Sequence, residues 1–329
     1  YLEYHRVLHE GVFAAATALY GITFHARPDL RGFTPDSEVY EVREADGTPL
    51  GAVILDPFTR PTKRGGAWMT SIVDQSDLTG SLPVVTNTCN FSRPTEGASC
   101  LLTWDNVITM FHEFGHALHG LLSEVRYPSR AGTAVPRDFV EFPSQVNELW
   151  AWDETLVSRF AIHHETGDPL PSELIARLRS SRSAGEGHHT LELVAAMLLD
   201  QAWHTTVLEE LPTSVEELES FEAAALERAG VAHELVPPGY RSCYFSHIFG
   251  SGYAAAYYGY LWAEVMDADA CAWFADNGGL CRSAGERFRR ELLGRGGSIE
   301  PMQAWRNFRR ADPDVSHLLR RKGLPVEQR

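Results

Sequence analysis

Residues 103–122 have the sequence Thr103-Trp-Asp-Asn-Val-Ile-Thr-Met-Phe-His-Glu-Phe-Gly-His-Ala-Leu-His-Gly-Leu-Leu122. Five of its apolar side chains recur at alternating steps of four and three residues, which places them on one stripe of a helix. They are Val107, Phe111, Phe114, Leu118 and Leu121. We therefore predict a buried helix over this stretch, around which the rest of the chain is organised.

Beside the apolar stripe, His112-Glu113-Phe114-Gly115-His116 has the spacing of a zinc site. Two histidines four residues apart on a helix project from the same face, so both rings can bind one metal ion. Glu113 lies where a carboxylate can take a proton from a water molecule at the metal. The alternative is a buried helix whose histidines bond to backbone. The strongly apolar helix and the small Gly115 favour a metal site, and hence a zinc hydrolase.

The next histidine along this helix, His119, makes the subtype less obvious. In metzincins the corresponding position is glycine, and a histidine follows three residues later. Here the two positions hold His119 and Leu122, so the pattern argues against a metzincin.

Spacing alone leaves the third protein ligand open. Catalytic zinc usually has three protein ligands and one water. Glu124 lies on nearly the same helix as the histidines and cannot fold back onto them. Glu141 falls in the first turn of the next predicted helix, which Asp138 is expected to cap. Glu148, two turns further on the same face, is either the ligand instead or a partner that orients a histidine. Asp138 and His247 are the remaining candidates.

A second group of candidate residues lies between 244 and 260. Three tyrosines occur at i, i+4 and i+7, on one face of a helix predicted over 253–276: Tyr253, Tyr257 and Tyr260. Such a stripe is normally core packing. A peptidase, however, needs hydrogen-bond donors for the oxyanion of its tetrahedral intermediate, and tyrosine hydroxyls and the imidazole of His247 are suitable donors. Gly250 and Gly252 would let the backbone approach a ligand or let the loop hinge.

The predicted elements indicate a mainly α protein with a small β-sheet of antiparallel type before the zinc-binding helix. A helix is expected over 1–21, followed by strands over 39–43, 50–55, 68–73 and 83–89. Downstream of residue 101 nearly all patterns are helical. We therefore treat 1–329 as one catalytic domain, with a helix and a sheet in 1–100 and the helical, zinc-bearing part in 101–329.

Two details of these elements bear on the site. Pro143 is expected in the first turn of its helix, where a missing N–H is tolerated. Gly65 and Gly66 precede a strand and suggest an exposed sheet edge, to which a peptide could add as a further strand. A plain glycine loop explains the pair equally well.

The composition excludes several classes of protein. Hydrophobic residues make up 44% of the 329 residues and charged residues 22%, as in ordinary globular proteins. The sequence has no apolar run of about 18 residues, so we expect no membrane span. The net charge of −15 argues against a nucleic-acid partner, because phosphate binding requires a basic surface. The first residues lack an initiator methionine and a secretory signal, and we expect that an upstream portion was removed.

The five cysteines are odd in number and never form a Cys-x-x-Cys pair. This favours free thiols in a reducing compartment, with the cytoplasm as the default. The charge is also uneven, since residues 282–329 hold 12 basic and 6 acidic groups. The basic tail is either a solvated helical face or a docking surface for an acidic partner domain.

Three segments resemble the thimet oligopeptidase family of zinc metallopeptidases, and within it the bacterial peptidyl-dipeptidases. They are His112-Glu-Phe-Gly-His-Ala-Leu-His-Gly, Arg137-Asp-Phe-Val-Glu-Phe-Pro-Ser-Gln and the run from Tyr240 to Trp262. The resemblance extends in continuous order from Tyr1 to about Pro325. It implies a zincin-like catalytic domain that hydrolyses short peptides, either by releasing C-terminal dipeptides or by cutting internal bonds.

The resemblance also implies roles for individual residues. One zinc ion would be bound by His112, His116 and Glu141, which selects Glu141 over Glu148. Glu113 would be the general base and then the proton donor. The remaining residues would bind substrate or stabilise the transition state: His247, Gly250, Gly252, Tyr253 and Tyr260. The family's helical N-terminal half, which forms the other wall of its substrate channel, is not in this sequence, so that half is the expected partner.

Overall fold

The structure is a computed structural model that describes residues 1–181 and 184–326. The α-helices are α1 (Tyr4–Arg6), α2 (Ala14–Tyr20), α3 (Trp104–Leu121), α4 (Arg137–Glu148), α5 (Glu154–Phe160), α6 (Ser172–Ser181), α7 (Glu186–Thr205), α8 (Val215–Arg228), α9 (Ser246–Gly250), α10 (Gly259–Asp276), α11 (Arg282–Glu291), α12 (Pro301–Arg309) and α13 (Ser316–Arg321). A π-helical segment, Val7–Phe13, joins α1 to α2. Within the described ranges, no helix has the length and apolar character that crossing a membrane requires.

Five strands form one small sheet in the first third of the chain. They are β1 (Thr23–Ala26), β2 (Glu38–Arg43), β3 (Pro49–Phe58), β4 (Trp68–Val73) and β5 (Val84–Phe91). Their order is β1-β2-β3-β5-β4, with β3 and β5 parallel and the other three pairs antiparallel. The predicted fold class, mainly helical with a small sheet, is confirmed. The sheet is mixed because β5 returns from the edge strand β4 to a place beside β3, an order that strand spacing does not reveal.

Helix α3 lies at the centre of the molecule, as predicted. It begins at a capping box in which the Thr103 side chain and Asn106 satisfy each other's backbone N–H groups. The predicted apolar stripe is buried throughout, and Phe114 packs its ring against Phe13 and Phe24. The helix contacts strand β5 on one side and α4 on another. Its burial fixes the direction in which the histidines project.

Helix α4 differs from the prediction at its start. Pro136, not Asp138, occupies the cap position, and Asp138 lies in the first turn. Pro143 is the seventh residue of the helix, so the prediction of a first-turn proline was wrong. A proline there removes one helix hydrogen bond, but the packing of α4 against α3 and α10 outweighs that local cost.

Helix α10 begins at Gly259, six residues later than predicted. Residues 253–258 instead form a turn, which we call the tyrosine turn, and Ala255 in it has a positive φ of 54°. The helical spacing of the tyrosines misled the prediction because the backbone N–H groups of Ala255 and Tyr257 donate to the side chain of Asp200 on α7. The carboxylate of Asp200, which is distant in sequence, thus takes the place of helical hydrogen bonds in this segment.

Many basic side chains of residues 282–329 form ion pairs with acidic side chains elsewhere in the same chain. Arg289 pairs with Glu44 at 2.6 Å, Arg309 with the buried Asp269 at 2.6 Å, and Lys322 with Glu186 at 2.6 Å. These contacts join α11, α12 and the end of α13 to earlier parts of the chain. They support an intramolecular role for much of the positive charge, which neither sequence interpretation included.

Candidate metal centre

Three side chains converge between α3 and α4. His112 and His116 project from α3, and the Nε2 atom of each lies 3.2 Å from Oε2 of Glu141 on α4. The potential ligand atoms of the three residues all lie within 4.8 Å of one another. Two imidazole nitrogens and one carboxylate oxygen are a donor set that zinc prefers in catalytic sites. The residues therefore fit the expected ion.

The close approach of α3 and α4 depends on Gly115. A Cβ atom at this position would lie 2.6 Å from the Cα of Ser144 and 2.9 Å from the Cβ of Asn147, distances at which one helix must move. Asn147 also donates from Nδ2 to the carbonyl oxygen of Phe111 at 2.7 Å. Glycine thus matters here for helix packing rather than for space at the metal itself.

Glu148 contacts the outer nitrogen of a histidine. Its Oε1 lies 2.7 Å from Nδ1 of His112, whose other nitrogen faces Glu141. Burial alone would lower the pKa of His112, but its bonds to Glu141 and Glu148 raise the pKa well above its usual value. A carboxylate at Nδ1 fixes the ring so that Nε2 can bind the metal. Glu141 and Glu148, which spacing could not distinguish, thus contact different nitrogens of His112: Glu141 lies at Nε2 and Glu148 at Nδ1.

Glu113 is the unpartnered acid of the site. It is 6% exposed, and its Oε2 atom has no hydrogen-bond partner in the described structure. Burial raises the pKa of this carboxyl group, and the nearby His112 and His116 offset part of the rise. A carboxylate with a raised pKa and a free oxygen is suited to accept and return a proton.

The other acidic and histidine candidates lie outside the donor group. Glu124 pairs with Arg289 at 3.1 Å, and Asp138 accepts a hydrogen bond from the hydroxyl of Tyr258 at 3.1 Å. His119 is fully buried, and burial lowers its pKa to about 3. None of these residues belongs to the donor cluster within 1–181 and 184–326.

Tyr253 and Tyr257 lie in the turn before α10, and Tyr260 is the second residue of α10 itself. The hydroxyl of Tyr253 donates to Oε1 of Glu141 at 2.5 Å. The ring of Tyr260 stacks on Tyr253 with centroids 5.3 Å apart and planes 19° apart. Burial and the charge of Glu141 raise the pKa of Tyr260 far above its usual value, so its hydroxyl remains a donor. Tyr257 is buried with them, in agreement with the core-packing interpretation.

His247 lies on α9 beside these rings. Its ring centroid is 6.4 Å from that of Tyr260 and 6.2 Å from that of Tyr253. Its Nδ1 atom has no hydrogen-bond partner among the described residues, and burial lowers its pKa. Burial therefore favours the neutral form of this ring, although the charge of Glu141 opposes it.

The two glycines of this loop have different surroundings. Gly250 faces open space, whereas Gly252 has a φ of 81°, and a Cβ there would lie 3.1 Å from the Arg137 guanidinium. Arg137 in turn lies over the ring of Tyr253, with Cζ 5.1 Å from the ring centroid. Spacing gave no signal for Arg137, because the contact depends on how the loop crosses the start of α4.

Strand β4 lies at the edge of the sheet, paired only with β5. Ile72 on this strand is 51% exposed. Gly65 and Gly66 precede the strand, and a Cβ atom added to either residue would have no neighbour within 4 Å. Helix α3 contacts this strand. An exposed sheet edge is therefore present near helix α3.

Comparisons with known proteins now identify the family. Residues 1–324 match the profile of Peptidase family M3. The chain belongs to this family. M3 peptidases are metallopeptidases, and the resemblance predicted from the three motifs is confirmed.

Individual M3 peptidases share sequence along almost the whole chain. The dipeptidyl carboxypeptidase of Escherichia coli (strain K12) is 43% identical over 326 residues, which cover 99% of this chain and 47% of that protein. Oligopeptidase A of the same organism is 37% identical over 319 residues, 95% of this chain and 46% of that protein. The thimet-like oligopeptidase of Dictyostelium discoideum is 31% identical over 331 residues, 97% of this chain and 47% of that protein. The chain spans about half the length of the curated relatives it matches.

Proposed function

We propose that the chain is the zinc-binding catalytic domain of a peptidase that hydrolyses short peptides. The observation that carries this proposal is the convergence of His112, His116 and Glu141, with the unpartnered Glu113 beside them. One zinc ion per chain would be held by the two Nε2 atoms and the Glu141 carboxylate. When bound, it would polarise the scissile carbonyl and lower the pKa of a water molecule.

The side chains around the ion then have separate tasks. Glu113 accepts the proton of the attacking water on Oε2 and later delivers it to the leaving amine nitrogen. The hydroxyl of Tyr260 and the imidazole of His247 donate hydrogen bonds to the oxyanion. Tyr253 contributes to substrate binding while its hydroxyl holds Glu141 in place. Gly250 and Gly252 let the loop backbone lie close to the peptide.

The substrate is proposed to be a short peptide bound in extended form, with its backbone paired to the free edge of β4. The relatives include both a dipeptidyl carboxypeptidase and an oligopeptidase A. We favour release of C-terminal dipeptides, because the dipeptidyl carboxypeptidases have the higher identity, 43% and 44% against 37%. Cleavage of internal bonds is the second candidate function.

We further propose that the working enzyme includes an N-terminal half, supported by the 47% share of relatives that this chain covers. Nucleic acid and membranes are not proposed partners, since the net charge is −15. All five cysteines are free, which supports a cytoplasmic location. A chain without the other half would have an open, less selective cleft.

Zinc content and cleavage of a short blocked peptide, measured together, test the proposal. Glu113→Gln is the matched variant, because it keeps the size of the side chain while removing the base. We expect unchanged zinc binding and loss of turnover to below about one percent, as for removal of a proton-transfer group. Higher residual activity at equal zinc content would exclude Glu113 from this role.

Two further comparisons separate the alternatives. A peptide with a free C-terminal carboxylate should be cleaved much faster than its amide only by a dipeptide-releasing enzyme. Activity with and without a purified N-terminal half, at matched zinc content, decides whether the chain is a half-protein that binds peptides without turning them over.

A further inference from the structure

Helix α7 contacts the backbone of the tyrosine turn at two residues. The carboxylate of Asp200 accepts from the N–H of Ala255 on Oδ1 and from the N–H of Tyr257 on Oδ2, both at 2.9 Å. The next residue, Gln201, donates from Nε2 to the carbonyl oxygen of Ala255 at 3.0 Å. Both polar groups of the Ala255 backbone are therefore bound by adjacent residues of α7.

The turn needs such support because its conformation is unfavourable. Ala255 has a φ of 54°, a left-handed conformation that residues with a Cβ atom rarely adopt. Asp200 is fully buried, so its charge must be compensated where it lies. Nδ1 of His204, one turn later on α7, lies 2.8 Å from Oδ1 and provides a further partner.

The same turn contains Tyr253 of the metal centre and leads directly into α10, which contains Tyr260. Tyr253, whose hydroxyl meets Glu141, precedes Ala255 by two residues, and Tyr260 follows Tyr257 by three. The N–H of Tyr260 donates to the carbonyl oxygen of Tyr257 at 3.3 Å. A displacement of the backbone at Ala255 or Tyr257 would therefore move both hydroxyls relative to Glu141.

We propose that Asp200 is a positioning residue for the metal centre. By binding the N–H groups of Ala255 and Tyr257, its carboxylate fixes the tyrosine turn so that Tyr253 reaches Glu141 and Tyr260 stacks beside it. Among the described residues, the partners of the Asp200 carboxylate are Ala255, Tyr257 and His204, none of which is a candidate metal ligand. The catalytic consequence rests on the proposed peptidase function, whereas the effect on the turn does not.

Hydrogen exchange tests the effect on the turn without any activity. Asp200→Asn keeps the shape but places an amide NH2 against one backbone donor. The matched control is Asp269→Asn, since Asp269 is equally buried and accepts from Arg309 at 2.6 Å and from the N–H of Asp314 at 2.9 Å. We expect amide exchange over 253–258 to rise at least about tenfold in Asp200→Asn and to stay within about twofold in Asp269→Asn. Equal exchange in Asp200→Asn and parent, or an equal rise in the control, would overturn the proposal.

Kinetics test the route through Tyr260. At equal zinc content, Asp200→Asn should lower kcat by about 10- to 100-fold with KM within about threefold. In a Tyr260→Phe background the same substitution should lower kcat by a smaller factor than in the parent, because one of the two hydroxyls it positions is already lost. Fully additive losses would overturn this route. If the parent cleaves no peptide even with a purified N-terminal half, the proposed function fails and the exchange result still decides the positioning role.

A milder variant covers the case in which Asp200→Asn does not fold. Gln201→Ala removes only the bond to the Ala255 carbonyl from a partly exposed side chain. Faster exchange over 253–258 is expected, in the same direction and of smaller size. Unchanged amide exchange over 253–258 in a folded Gln201→Ala protein would then count against the proposal that α7 holds the tyrosine turn.

Discussion

Replacing Gly115 with alanine is a sharp test of how the metal centre is built. The new Cβ atom would lie 2.6 Å from the Cα of Ser144, about 0.8 Å closer than the 3.4 Å at which ordinary contacts begin. The nearest atom belongs to the backbone of α4, so no side chain can rotate away. We therefore expect α4 to shift and to carry Glu141 with it.

The size of the effect follows from two opposing terms. A Gly→Ala change inside an exposed helix stabilises it by about 1 kcal/mol. Overpacking in a closely packed interior costs about 1–3 kcal/mol, so after the propensity gain Gly115→Ala should lower the stability of the metal-free protein by up to about 2 kcal/mol. Metal ligands tolerate displacements of only about 0.2 Å, and zinc affinity should fall at least about 100-fold, or about 2.7 kcal/mol.

Urea unfolding with and without zinc, together with a chelator competition, measures both terms. Gly187→Ala is the matched control, because Gly187 also lies in a helix, α7, but a Cβ there would contact nothing within 4 Å. It should be neutral or slightly stabilising and bind zinc normally. A Gly115→Ala protein with parental stability and zinc affinity within about threefold of the parent would refute the packing argument.

Two other substitutions test single contacts of the centre. Tyr260→Phe should lower kcat by about 10²–10³-fold without changing zinc content, as for the loss of one oxyanion donor; an unchanged rate would leave Tyr260 a packing residue. Glu148→Gln should weaken zinc binding by about 10- to 100-fold at pH 8, because His112 loses the partner that orients it. Zinc binding requires unprotonated His112, whose pKa Glu148 helps to raise, so protons should displace zinc at a lower pH in Glu148→Gln than in the parent. Chelator titrations from pH 5 to 8 measure this, and parallel curves would contradict the assignment of Glu148.

Local periodicity was enough to predict the part of the centre that lies on one helix. His112, Glu113 and His116 are positioned by the geometry of α3 alone, so their spacing in the sequence determined their relation in space. Glu141 and Glu148 lie seven residues apart on one face of α4. Which of them meets Nε2 depends on where α4 crosses α3, and Gly115 sets that crossing through contacts absent from any local pattern.

The tyrosine turn shows why periodicity failed at the other wall of the centre. The i, i+4, i+7 spacing of Tyr253, Tyr257 and Tyr260 is compatible with a helix, yet a helix would need the N–H groups of its own residues for internal bonds after the first turn. Asp200, 55 residues earlier than Ala255, instead binds the N–H of Tyr257, which a helix starting at residue 253 would use internally, and also the N–H of Ala255. Both arrangements satisfy the backbone, and only the turn also brings the hydroxyl of Tyr253 to Glu141. In the role proposed for Asp200, a buried carboxylate that has no motif of its own positions Tyr253 and Tyr260, so changes at Asp200 should alter the centre without altering any residue that resembles an active site.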